Sequence, residues 1–183
     1  MVSNNLKIIF SGPVGAGKTT AIQTLSDTPP ISTNESASDM TKKRKRETTV
    51  AMDYGTMNLD GNEKIHLYGT PGQERFNFMW DILTSGGLGL VMLIDNTRKD
   101  PIKDLLFFIN SFKDYIDKTA LSIGITRTDL RSYPRISNYH QALKDININV
   151  PVFQVDAREY SDVAMLVQAL LFSIDPGVGT DNE

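Results

Sequence analysis

The sequence predicts an α/β fold, a mostly parallel sheet with helices on both faces in a single domain. Short apolar runs alternate with segments of helical periodicity along the chain, which is the order of repeated strand-helix-strand units. Several runs are apolar throughout, as strands buried on both faces are. The length of 183 residues is that of one ordinary domain, long enough to bury a core without disulfide or metal staples.

The elements follow in order. Leu6 to Phe10 reads as the first strand and Lys18 to Leu25 as the first helix. Thr28 to Thr48 holds two prolines, many Ser, Thr and Asn, and the basic run Lys42-Lys43-Arg44-Lys45-Arg46, and reads as a long mobile loop. Thr49 to Leu59 and Lys64 to Tyr68 alternate apolar and polar residues around Asp60-Gly61, a hairpin signal. Leu88 to Ile94, Ala120 to Ile125 and Val150 to Val155 read as buried strands. A helix from Pro101 to Tyr115 has Asp100 as N-cap and proline at its first position, with Leu105, Phe108, Ile109 and Phe112 at core-facing spacing. A shorter helix spans Ser137 to Ile146, and a closing helix from Ser161 to Ile174 is expected to be capped by Ser161 or Asp162. The domain therefore covers 1–175, and the polar residues 176–183 form a frayed tail.

Composition excludes several classes of function. There is no cysteine, so no disulfide, thiol nucleophile or thiolate metal site exists, a pattern that suits the reducing cytoplasm. The longest apolar run, Leu88 to Ile94, falls far short of the roughly 20 residues of a spanning helix. The first residues, Met-Val-Ser-Asn-Asn, offer neither a signal peptide nor a myristoylation site, so no direct membrane insertion is expected and any membrane visit goes through a partner. A formal charge of -3 argues against nucleic acid as a partner.

The sharpest signal is Gly12-Pro13-Val14-Gly15-Ala16-Gly17-Lys18-Thr19, which fits G-x-x-x-x-G-K-T between a strand and a helix. Glycines there let backbone N–H groups turn toward phosphate oxygens, and the helix start adds its positive dipole end. Lys18 is placed to bridge the β- and γ-phosphates, and Thr19 to give its hydroxyl to Mg²⁺, with Thr20 beside it at the nucleotide.

Four further segments decide among the users of such a loop. Gly69-Thr70-Pro71-Gly72-Gln73-Glu74-Arg75-Phe76 resembles the second switch of Ras-like GTPases, with Gly72 sensing the γ-phosphate and Gln73 orienting the attacking water. Thr48-Thr49-Val50-Ala51-Met52-Asp53-Tyr54-Gly55 resembles the first switch, where one of the two threonines, Thr49 being favoured, closes over Mg²⁺. Thr126-Arg127-Thr128-Asp129 resembles the guanine-reading N-K-x-D motif, and Asp156-Ala157-Arg158 the S-A-K loop whose alanine N–H meets the guanine O6. The chain is thus similar to the small Ras-like GTPase superfamily, and its wording is most similar to prokaryotic MglA-like GTPases of the conservon type. That resemblance implies a P-loop NTPase fold with a six-stranded sheet of order 2-3-1-4-5-6 and one antiparallel edge strand. It also implies GTP and GDP as ligands, Mg²⁺ as cofactor and slow hydrolysis. The partners it implies are a roadblock/LC7-type protein and an activating or exchange factor.

The departures matter as much. Gly69 stands where Ras-like proteins carry an aspartate that holds a Mg²⁺-bound water. Asp53, on the strand paired with the one carrying Gly69, could supply that carboxylate from the side, or be a solvent-facing strand residue or hairpin hydrogen-bond partner. Thr126 replaces the asparagine that ties the base loop to the phosphate loop, so that tie is expected to be lost, while Arg127 could lie over the purine as a lysine stem does. Arg44 or Arg46 could serve as an arginine finger in cis or belong to a solvated basic loop. His66 and His140 read as structural. Two rivals stand beside a GTP switch: a nucleotide-binding interaction module without useful hydrolysis, kept open by Gly69 and Thr126, and a small-molecule kinase or ATPase. For partner binding, the apolar residues Phe76, Phe78, Met79 and Trp80 form the candidate patch, with one or two of the four expected to pack permanently against the neighbouring helix and the others to face a partner.

Overall fold

A computed structural model of the chain describes residues 6–29, 31–32, 52–59, 63–73 and 78–174, with residues 78 and 79 described by backbone. The Asp60-Gly61 turn, Arg44, Arg46, Thr48, Thr49, Phe76, the side chains of Phe78 and Met79, and the tail lie outside that description.

The strands are β1 (Leu6–Ser11), β2 (Ile31–Ser32), β3 (Asp53–Asn58), β4 (Lys64–Gly69), β5 (Gly89–Asp95), β6 (Ala120–Thr126) and β7 (Val152–Val155). They form one sheet of order β2-β3-β4-β1-β5-β6-β7. β3 runs antiparallel to β4, whereas β4, β1, β5, β6 and β7 are mutually parallel neighbours. With the two-residue β2 set aside, this is the expected six-stranded order with its antiparallel edge strand. β2 itself is an addition, pairing antiparallel with β3 inside the stretch expected to be loop. Every residue of β5 and β6 is buried, the mark of central parallel strands covered on both faces. β3 and β4 alternate instead, as strands with one covered face do.

Helices α1 (Lys18–Leu25) and α6 (Tyr160–Ile174) bury Ala21, Ile22, Leu25, Val163, Leu166 and Leu170 on one face of the sheet. On the other face lie α2 (Phe78–Thr84), α3 (Pro101–Ser111), α4 (Lys113–Ile116) and α5 (Ile136–Asp145), contributing Trp80, Leu105, Phe108, Ile109, Tyr139 and Leu143. Asp100 caps α3 as expected, its carboxylate accepting the Lys103 N–H at 3.0 Å. The single helix expected over Pro101 to Tyr115 is divided at Phe112, whose backbone leaves helical torsions while its ring is buried against Trp80. The last strand begins at Val152 rather than Val150, because Pro151 has no N–H to give the ladder. α2 was not expected as an element at all. α6 starts one residue early, so Ser161 and Asp162 fall in its first turn. Asp162 caps the preceding loop instead, accepting the Asp156 N–H at 2.9 Å.

Because the central strands are parallel, the loops after β1, β4, β5, β6 and β7 converge at their carboxyl ends. Open α/β sheets bind ligands at that edge.

Candidate functional site

The phosphate loop is built as the motif requires. Gly12, Gly15 and Gly17 all take positive φ, and α1 follows at Lys18 with no acidic residue in its first turn to compete for an anion. Lys18 is buried and folds back over the loop, donating to the Gly12 and Pro13 carbonyls at 2.7 Å each. Burial drives its pKa from 10.5 down to about 8; the Asp53 carboxylate opposes that shift and the Arg98 charge adds to it. An ammonium held in this way is short of counter-charge, which a polyphosphate supplies.

Gly72 and Gln73 follow β4 on the far side of Lys18. A Cβ at Gly72 would stand 2.6 Å from the Val14 nitrogen and 2.8 Å from the Lys18 Nζ, so only glycine lets this backbone lie against the phosphate loop. Gln73 is exposed beside it.

Asp53 stands beside Gly69 and the phosphate loop. It is 7% exposed, which removes the solvent-facing alternative, and its Oδ2 accepts the Thr19 hydroxyl at 2.5 Å. In the β3–β4 ladder it pairs directly with Gly69. A Cβ at Gly69 would lie 3.1 Å from the Asp53 Cβ and 3.2 Å from Oδ2, so the glycine vacates the space that the carboxylate fills. Two hard oxygen donors, Thr19 Oγ1 and Asp53 Oδ2, thus meet beside the phosphate loop, the donor chemistry that Mg²⁺ selects.

The segments expected to read the base enclose a cavity of about 270 Å³ whose lining includes Gly17, Thr20, Arg127, Asp129, Ala157 and Arg158. Ala157 is buried, its carbonyl accepting the Thr24 hydroxyl at 2.8 Å. Arg158 is bound by the carboxylate of Asp156, two residues back, which also accepts the Arg158 N–H at 2.9 Å. Those bonds hold the Asp156 pKa down at about 2 and raise that of Arg158. The turn is therefore shaped from within.

One expectation is overturned. Thr126 does not lose the tie to the phosphate loop: its hydroxyl donates to the Ala16 carbonyl at 3.1 Å and approaches the Ile94 carbonyl at 3.3 Å. The shorter side chain suffices because β6 carries Thr126 into a fully buried position between the two loops. Arg127, in left-handed conformation, lines the cavity with its guanidinium paired to Asp95.

Asp95 is the residue that sequence reasoning missed. It lies at the carboxyl end of wholly buried β5, with Oδ1 accepting the Thr97 N–H at 2.8 Å and the Thr97 hydroxyl at 2.6 Å. The next residue, Asn96, is also buried and accepts the Tyr139 hydroxyl at 2.6 Å. The available signal was the Asp-Asn-Thr run closing an apolar strand, where polar residues face the ligand edge. Of the four apolar residues after Gln73, one or two were expected to pack inward, and Trp80, 3% exposed, is such a core residue. His66 is structural as expected, its Nδ1 lying 2.7 Å from the Tyr54 hydroxyl, and His140 sits on the exposed side of α5.

Residues 28–112 match a family described as a conserved hypothetical ATP binding protein. The chain is 30% identical over 98 residues to an uncharacterized protein of Methanocaldococcus jannaschii, covering 54% of this chain and 56% of that one. It is 26% identical over 123 residues to the Ras-related protein Rab-18-B of Danio rerio, covering 66% of this chain and 54% of that one. The architecture is that of a P-loop NTPase. The chain spans about half the length of the curated relatives it matches. Loop, sheet order and likenesses together support a P-loop nucleotide-binding protein. Among the described residues, no helix is long and apolar enough to cross a membrane.

Proposed function

We propose that this chain is a guanine-nucleotide switch that binds GTP and GDP with Mg²⁺ and slowly hydrolyses GTP. The carrying observation is the cavity that brings Asp129 and Ala157 together beside the phosphate loop. A carboxylate there accepts from guanine N1–H and the exocyclic amine, while the Ala157 N–H suits a carbonyl oxygen, and adenine offers neither arrangement. The family match carries ATP in its description and favours a second reading, an adenine nucleotide protein. The matched residues 28–112, however, include neither the phosphate loop nor either base loop. Chromatography of the nucleotide released by denaturing the purified protein, with ATP and GTP competition, separates the two. We expect guanine nucleotide and at least tenfold preference for GTP, about 1.4 kcal/mol; equal competition by ATP overturns the reading.

In hydrolysis, a water held by Gln73 attacks the γ-phosphorus, the bond to the β,γ-bridging oxygen breaks, and GDP and phosphate leave. Lys18 and the Gly72 N–H face the terminal phosphate oxygens. Thr19, Thr49 and Asp53 are the residues that would hold Mg²⁺, and its charge would offset that of the β- and γ-phosphates. Unaided turnover is slow, since this chemistry usually waits for an added cation.

The resemblance to MglA-like proteins supports a homodimeric roadblock/LC7-type partner and an activating or exchange factor, met through the segment after Gln73. Trp80 is withdrawn from that surface. The reading places a G domain over 1–175 in the cytoplasm.

A further inference from the structure

The one tryptophan of the chain sits in the core yet bonds to the switch. Trp80 stacks on Phe112 at a ring-centroid distance of 4.8 Å and leans on Phe108 at 5.5 Å. Its indole N–H, buried with the ring, donates to the carbonyl of Pro71 at 3.1 Å. Thr84 in turn bonds the Trp80 carbonyl at 2.9 Å, closing a turn of α2 around the same residue.

The Pro71 carbonyl and the Gly72 N–H belong to one planar peptide group. That peptide is trans, so its C=O and N–H point in opposite directions. Pinning the carbonyl toward Trp80 therefore turns the Gly72 N–H away from the aromatic cluster. Gly72 itself lies against the phosphate loop, where a Cβ would come within 2.6 Å of the Val14 nitrogen and 2.8 Å of the Lys18 Nζ. This plane swings by ψ of Pro71 with a compensating φ of Gly72, a rotation that glycine leaves free and that the indole bond restrains.

We propose that Trp80 is a positioning residue whose indole N–H, by holding the Pro71 carbonyl, aims the Gly72 N–H at the terminal phosphate. This rests on the nucleotide-switch reading. The diphosphate needs no bond from Gly72, so removing the indole N–H should lower affinity for the triphosphate and leave that for the diphosphate unchanged.

Because Trp80 is the sole tryptophan, biosynthetic replacement with benzothienylalanine exchanges N–H for sulfur at this site alone and keeps the bicyclic shape. The full chain is titrated with GDP and with a non-hydrolysable GTP analogue in excess Mg²⁺. The substituted protein should lose about three- to tenfold of its triphosphate-over-diphosphate preference, the range for one net hydrogen bond. Trp80→Phe, which also lacks the donor, should show the same loss. Phe112→Leu, which disturbs the stacking but keeps the donor, should retain the preference. A preference unchanged by both donor-deleting replacements overturns this inference alone, as does an equal loss in Phe112→Leu. An unsubstituted protein without any triphosphate preference overturns the switch reading, and this inference with it.

Discussion

Lys18 makes nucleotide affinity fall with rising pH, by an amount the structure sets. With only protein groups around it, burial holds the ammonium at about 8, far below an ordinary lysine. Keeping that charge costs the folded protein about 3 kcal/mol relative to an unfolded lysine at neutral pH. The folded-state value lies below the unfolded one, so this cost is full below pH 8 and fades as pH rises toward 10.5. Bound phosphate reverses the balance: opposite charge at contact distance favours the ammonium and lifts its pKa well above 8. Binding near pH 9 must then take up a proton, and affinity for GDP should fall about tenfold from pH 7 to pH 9. Calorimetry in two buffers of different ionisation enthalpy measures both the affinity and the proton. Lys18→Met, much weaker at neutral pH, should show little of this slope and reports any titration of the base itself. Affinity flat across that range, or the same slope in Lys18→Met, would refute the argument.

Asp129→Asn should move preference from guanine toward xanthine nucleotides, since an amide donates where the carboxylate only accepted, and xanthosine diphosphate competition reads this directly. Gln73→Leu should leave GTP binding nearly unchanged and slow single-turnover hydrolysis at least tenfold; an unchanged rate removes Gln73 from catalysis. Thr126→Val deletes the hydroxyl bond to the Ala16 carbonyl and should cost about 0.5–1.5 kcal/mol in urea unfolding, with faster release of bound GDP.

What the sequence made legible was the local and periodic part. The phosphate loop and the α3 cap follow from spacing and turn chemistry, the sheet order follows from the resemblance that the motifs carry, and the two segments expected to read the base fall on one cavity because parallel strands deliver their carboxyl ends to one edge. Contacts between residues far apart in the chain were not legible. Asp95 gains its role by pairing with Arg127 across β5 and β6, and Thr126 keeps a tie that its identity alone seemed to forfeit. Which of the four apolar residues after Gln73 would pack inward could not be read from spacing, and the stacking of Trp80 on Phe112 and Phe108 makes it core.

The pairing of Asp53 with Gly69 gives the strictest test of the metal reading, because register makes the two positions exchangeable. The pair sits directly opposite in an antiparallel ladder, and Asp53 already fills the space a side chain at Gly69 would need. Gly69→Asp alone therefore sets two carboxylates in one small site, and a Cβ there also meets Ile22 Cδ1 at 3.0 Å. Overpacking of this kind costs about 1–3 kcal/mol, and the like charges add to it. Asp53→Gly alone removes the acceptor of the Thr19 hydroxyl and should raise the Mg²⁺ concentration for half-maximal GDP retention about tenfold or more. In the double variant the carboxylate returns from the neighbouring strand into the space just cleared. If that carboxylate serves the metal, the double variant should need less Mg²⁺ than Asp53→Gly and unfold at higher urea than Gly69→Asp. Simple additivity of the two single effects would mean that Asp53 acts only by bracing Thr19.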